Sequence, residues 1–238
     1  MTARLDIEYD GTDFFGWAIQ PEVRTVQGEV ERALAIIARR PLRLTVAGRT
    51  DRGVHATGQV ASHEGAPVRA HQLNAILPRD VRIVASGPAA EGFDARHDAV
   101  ARAYEYRLFT RRTASALQHR HELHFSRPLH EAALHACAAA LPGSHDFRAF
   151  TPTETDHKSF RRHVHRAGWS RDGDHLTFAV EGNAFMRNMV RALVGTMLDV
   201  ALGRRDIASF VALLDGAHRR EAGTTAPPHG LTLVGVRY

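Results

Sequence analysis

The stretch that most constrains this chain is Ala47-Gly48-Arg49-Thr50-Asp51-Arg52-Gly53-Val54-His55-Ala56. It lies between two runs that read as strands, Leu42 to Val46 and Gln59 to His63. An acidic residue flanked by two arginines and bracketed by two glycines is an unusual loop. Gly48 and Gly53 let the backbone take φ above zero, or let another backbone or a ligand come close. Asp51 between Arg49 and Arg52 suits a carboxylate kept ionised beside an anionic partner, because an opposite charge nearby lowers a carboxyl pKa. Taken alone, an Asp-Arg-Gly triplet would be only the solvated tip of a β-hairpin. The full string asks for more.

The strands and helices around the loop follow from periodicity. Arg4 to Tyr9 alternates apolar and polar residues, and Asp10-Gly11-Thr12-Asp13 is turn chemistry. Phe14-Phe15-Gly16-Trp17 is either core or a surface on which bases stack. Thr25 is placed to cap a helix whose apolar residues Val26, Val30, Ala33, Leu34 and Ile37 share a face, with Pro41 beyond its end. A shorter helix, Ala70 to Leu77, stops at Pro78, and Val81 to Ser86 reads as a strand. The order β-α-β-β-α-β is the ferredoxin-like pattern.

A second pass gives nearly the same order. Val100 to Phe109 is a strand, Pro128 to Leu141 a helix, and Arg162 to Ser170 and His175 to Glu181 are strands joined by Asp172-Gly173. Ala184 to Leu202 is a long helix, Asp206 to Leu214 a short one, and Leu231 to Tyr238 a closing strand. The expectation is an α/β (α+β) protein with two domains, residues 1–98 and 99–238. They would be ferredoxin-like halves related by a pseudo-two-fold, with a basic cleft between them. The loop from Thr151 to Ser159 is the segment expected to be mobile.

Charge bears on the partner. The formal net charge is +5 and Lys158 is the only lysine, so the basic side chains are almost all arginine. Arginine binds phosphate in bidentate fashion and stacks on bases, which leans toward RNA or another phosphate partner. Cys137, the only cysteine, falls in a helical pattern and reads as an inert core thiol, which excludes an intrachain disulfide and a Cys-based zinc site. The amino-terminal residues have no apolar signal-peptide region and no apolar run approaches a membrane span, so the expectation is a soluble, cytoplasmic protein.

Several enzyme templates fail. Val54-His55 stands where a P-loop needs Lys-Ser/Thr; there is no Gly-x-Ser-x-Gly elbow and no Gly-x-Gly-x-x-Gly fingerprint. His130-Glu131-x-x-x-His135 misses the metalloprotease spacing by one residue. His119-x-His121-x-x-His124 and His163-x-His165 lack an acidic partner at helical spacing, so no metal is expected.

Two arginine- and aromatic-bearing segments remain. In Phe93 to Tyr106, Arg102, Tyr104 and Tyr106 share one strand face, suited to phosphate contact plus base stacking or to a half-buried sheet. In Asn183 to Gly195, Met186, Val190, Leu193, Val194 and Met197 form a core face, with Arg187 and Arg191 one turn apart beside it. An arginine directed inward there needs a carboxylate, and Asp51 is a candidate.

The string Gly48-Arg49-Thr50-Asp51-x-Gly53-Val54-His55-Ala56 resembles the signature of the TruA family of tRNA pseudouridine synthases. So do Tyr9-Asp10-Gly11-Thr12 with Gly16-Trp17, and Thr25-Val26-Gln27-Gly28. Phe93-x-Ala95-Arg96 with Arg102-x-Tyr104-x-Tyr106, Asn183-Ala184-Phe185 with Met189-Val190-Arg191, and Ala226-Pro227-Pro228-x-Gly230-Leu231 extend the likeness over nearly the whole chain. The resemblance implies conversion of uridine to pseudouridine at tRNA positions 38, 39 and 40, in the anticodon stem-loop, without metal or cofactor, by a homodimer. It implies Asp51 as nucleophile, Tyr104 stacked on the target base and engaged in proton transfer, Arg191 paired with the aspartate, and Leu231 packed against the base. Arg49, Arg52, Arg96, Arg102 and Arg187 are then expected on the RNA. This sequence departs from the pattern at Ala18-Ile19, where glutamine is usual after Gly-Trp, and at Arg52, where a small residue is usual. The alternatives are a tRNA-binding protein without catalysis, and a synthase acting on another RNA.

Overall fold

The structure, a computed structural model, describes residues 1–155 and 158–238. The centre of the Thr151–Ser159 loop lies outside the described residues. The chain forms two compact units: residues 1–102 together with 232–238, and residues 103–231. Both are mixed α+β, with mostly antiparallel strand pairing.

In the first unit β1 (Thr2–Tyr9) lies between β4 (Val81–Ala89) and β3 (His55–Glu64), antiparallel to both. The alternating apolar residues of β1 become a buried face of Ala3, Leu5, Ile7 and Tyr9. Helix α1 (Val26–Ala38) buries Val26, Val30, Ala33 and Leu34, and the Thr25 side chain accepts a hydrogen bond from Gly28 N–H at its start. The expected strand before the Asp51 loop shrinks to β2 (Thr45–Val46), which pairs with β3. Its first residues are claimed by the helix instead, since the buried Glu31 accepts the Leu44 N–H (3.0 Å) and a guanidinium N–H of Arg43 (3.0 Å). Helix α2 (Ala70–Ile76) precedes β4. The last strand, β10 (Leu231–Arg237), runs parallel to β3 with Thr232 opposite His55 and Leu233 opposite Ala56.

The second unit orders β5 (Ala101–Phe109), β9 (His175–Gly182), β8 (Arg161–Asp172) and β7 (Gly143–Asp146) side by side. The short β6 (Leu123–His124) pairs with β5. Helices α3 (Glu131–Ala139), α4 (Met189–Ala201) and α5 (Ile207–Ala212) complete it. Cys137 is fully buried on α3, and burial pushes its thiol up to about 11. Neither β6 nor β7 is legible in the periodicity, being two and four residues long.

The helix expected from Ala184 begins only at Met189. Asn188 sits at its N-cap with φ 61°, a left-handed conformation that cannot continue a helix backwards. Arg187 therefore precedes α4 and does not share a helical face with Arg191, contrary to the expected one-turn spacing. The core face itself is as expected: Met186, Val190, Leu193, Val194 and Met197 are all buried.

Candidate active site

The Asp51 loop is built on the segment that follows β1. Tyr9 closes β1, is 3% exposed, and its hydroxyl lies 2.7 Å from Thr50 Oγ1. The fully buried Gln59, on β3, donates from its amide to Gly48 O (2.7 Å) and to the Tyr9 hydroxyl (3.3 Å). Burial pushes the Tyr9 phenol up to about 12, against the opposing effect of the hydrogen bonds with Thr50 and Gln59. The loop's own turn closes through Val54 N–H to Asp51 O (3.1 Å), with Gly53 at φ 76°. Gly48 takes no left-handed conformation, and its carbonyl accepts from Gln59.

Phe14 to Trp17 bolts the loop down from the other side. Gly53 N–H donates to Phe14 O (3.3 Å), and Trp17 N–H donates to Thr50 O (3.0 Å). Between them Gly16 has φ 94°, and a Cβ there would lie 2.9 Å from Thr50 O. The four residues divide as core and surface: Phe14 and Trp17 are buried, whereas Phe15 is 38% exposed. Nearby, Gly11 N–H donates to Nδ1 of the buried His55 (3.0 Å). Asp51, half-buried, is thus carried on a backbone fixed at Gly48, Thr50, Gly53 and Val54.

Neither flanking arginine pairs with Asp51. The Arg52 guanidinium lies over the Phe15 ring, 4.0 Å from its centroid, and is exposed. Arg49 is also exposed, with no hydrogen-bond or ion-pair partner among the described residues. Both arginine side chains are exposed, whereas Asp51 between them is half-buried.

Arg102 is buried, and its guanidinium donates to Ala47 O (3.0 and 2.8 Å), Ala99 O (2.8 Å) and Arg96 O (2.7 Å). This side chain ties the start of the Asp51 loop to the segment before β5. Arg96 itself is exposed.

The remaining candidates lie in the second unit. Tyr104 and Tyr106 share a buried face of β5. Tyr104 meets Phe185 edge to face, ring centroids 5.0 Å apart. Tyr106 donates to Pro227 O (2.8 Å), and Gly230 lies against its ring so closely that a Cβ would come within 2.7 Å. Arg191, in the first turn of α4, donates to Ala226 O (2.8 Å) and to Asn188 Oδ1 (2.8 Å). Its charge opposes the upward shift that burial imposes on Tyr106, and adds to the downward shift of His229 caused first by burial. Arg191, Tyr106 and the 226–230 segment are therefore one cluster, adjoined in sequence by the buried Leu231. Arg187 is exposed and donates to Glu154 O (3.2 Å).

Sequence reasoning gave Gln59 and Thr50 no individual role, and left Phe15 as either core or a stacking surface. The first two were findable: laying β1 antiparallel on β3 puts Ile7 opposite Gln59 and Tyr9 opposite Ala56, which brings the Tyr9 ring to the loop base.

The tRNA pseudouridine synthase family matches this chain over residues 7–86 and 137–238. A tRNA pseudouridine synthase A of Frankia casuarinae is 46% identical over 242 residues, covering 99% of this chain and 88% of the relative. Proteins of the same name from Methylococcus capsulatus (41% identical, 100% of this chain, 90% of the relative) and Shewanella amazonensis (38%, 100% and 93%) are also similar from end to end. With a family match over most of its length and relatives of this identity, the chain belongs to the tRNA pseudouridine synthase family.

Proposed function

We propose that this chain isomerises uridine to pseudouridine at positions 38, 39 and 40 of tRNA, with Asp51 as the nucleophile. The observation that carries the reaction is membership of the family, end to end with proteins named for that activity. What supports Asp51 is its setting, a half-buried carboxylate on a loop whose backbone is fixed on both sides.

The chemistry is an internal exchange of bonds. The C1′–N1 glycosidic bond breaks, the uracil turns while held, C1′–C5 forms, and the C5 proton leaves as N1 gains one. A carboxylate oxygen can bond covalently to C1′ or to a ring carbon to split this into easier steps. The uridine must leave its stem to be reached. Tyr104 receives the base and takes part in proton transfer, Leu231 packs on it, and Arg191 supplies the positive charge that favours an ionised carboxylate. Arg49, Arg52, Arg96 and Arg187, all exposed, are proposed to meet the RNA, with affinity that falls as salt rises. Arg102 serves the same end indirectly by holding the loop base.

The architecture proposed for this work is two ferredoxin-like domains related by a pseudo-two-fold, with an arginine-lined cleft, in a cytoplasmic homodimer that needs no metal or cofactor. Among the described residues, no helix is long and apolar enough to cross a membrane. The test is to incubate purified protein, in chelator, with unmodified tRNA transcripts and map pseudouridine. Signal confined to positions 38–40 supports the reading. Pseudouridine elsewhere means another RNA site, and binding without any conversion means a non-catalytic protein.

A further inference from the structure

We infer that Phe15 and Arg52 form a stacking platform for an unpaired base of the RNA, next to the uridine attacked at Asp51. The inference rests on the reading of Asp51 as nucleophile and names a subsite beside it.

The floor is rigid. Phe15 N–H donates to Arg24 O (2.9 Å), and Phe15 O accepts from the Gln20 side chain (2.9 Å), so both backbone polar atoms are fixed. Phe14, on one side, is buried beneath the Arg24 guanidinium at 4.1 Å, and that guanidinium is bonded to Asp80 and Glu29. Phe15 carries a different arginine. The Arg52 guanidinium, 4.0 Å from its ring centroid, is exposed and has no hydrogen-bond or ion-pair partner among the described residues. The ring lies against this planar cation, which is otherwise exposed to solvent. Gly53 N–H to Phe14 O (3.3 Å) locks the two layers together.

Phe15 stays 38% exposed even with the Arg52 guanidinium over its ring, so the pair is reachable from solvent. A guanidinium plate on an aromatic floor offers a base a flat, weakly hydrated, cationic surface. A small residue at position 52 would leave the ring without its plate, so the platform is a property of this chain's own sequence. Its place directly after Asp51 assigns it to a nucleotide neighbouring the target.

The experiment is equilibrium binding, with no turnover involved. Synthetic anticodon stem-loops, each with one loop nucleotide made abasic, are titrated against wild type, Arg52→Ala, Arg52→Lys and Phe15→Leu. Base–side-chain stacking is worth roughly 5- to 150-fold in affinity. One abasic position should weaken wild-type binding by that order. Arg52→Ala should weaken binding of the intact stem-loop similarly and become indifferent to that position. Arg52→Lys should behave like Arg52→Ala, and Phe15→Leu should lose part of the effect. Thermal melts matching wild type confirm folded variants. Full affinity in Arg52→Lys, or unchanged sensitivity to every abasic position in Arg52→Ala, overturns the platform. Failure of the Asp51 reading appears separately, as turnover by Asp51→Asn.

Discussion

The hydroxyls of Tyr9 and Thr50 meet at 2.7 Å inside the protein, although 41 residues separate them in sequence. Thr50 is the neighbour of Asp51, so this bond fixes the backbone from which the Asp51 carboxylate projects. Removing either hydroxyl leaves its partner buried, at a cost of about 1–3 kcal/mol. Tyr9→Phe and Thr50→Val should each lower the melting temperature modestly. Each should also lower kcat more than it changes tRNA affinity, with Thr50→Ser restoring most of the rate. Wild-type kcat in Thr50→Val would leave the bond with no part in positioning.

Alkaline pH should expose the buried phenols. Tyr9 and Tyr238 are both raised to about 12 in the fold, chiefly by burial, from an ordinary value of 10.0. A raised pKa means the folded state holds its proton more tightly than the unfolded state. This stabilisation is intact below pH 10 and is lost as pH rises toward 12. Denaturant melts across that range should show falling stability, and Tyr9→Phe should make the fall shallower.

Asp51→Asn keeps the shape of the side chain and removes the charge. Pseudouridine formation should fall below detection, while tRNA affinity stays within about threefold, since the phosphate contacts are proposed for arginines. A radiolabel-release assay alongside filter binding measures both. Substantial turnover by this variant would remove Asp51 as nucleophile.

Tyr104→Phe retains the ring against Phe185 and deletes only the hydroxyl. It should bind tRNA like wild type and react slowly, by about 100-fold or more if the hydroxyl moves a proton. Tyr104→Leu should lose binding as well. Equal rates for wild type and Tyr104→Phe in single turnover would confine the residue to stacking.

Much of this was legible in the sequence because the signals were local. Thr25 capping α1 is read from its neighbours within three residues, and the cap is made. The start of α4 was not legible, because its cap is Asn188 in a left-handed turn within an otherwise helical pattern. Arg102 looked like a candidate phosphate ligand for a similar reason. Its alternating spacing with Tyr104 and Tyr106 was correct, but the carbonyls of Ala47, Ala99 and Arg96 to which it donates come together only on folding. The Phe14–Trp17 segment left two readings open; the fold buries Phe14 and Trp17 as core and leaves Phe15 exposed.

β10 has a consequence for how the protein is made. Residues 232–238 belong with residues 1–102, where Thr232 and Leu233 lie beside His55 and Ala56, Arg237 O accepts the Val100 N–H (2.8 Å) and the Tyr238 hydroxyl donates to Ala95 O (2.8 Å). On the ribosome, the stretch bearing Asp51 emerges early but lacks its flanking strand until everything from Ala103 to Leu231 has been synthesised. The scaffold of the Asp51 loop is therefore completed only after the whole second unit has been made, and a nascent chain cut short before Thr232 should carry that loop on an open sheet edge.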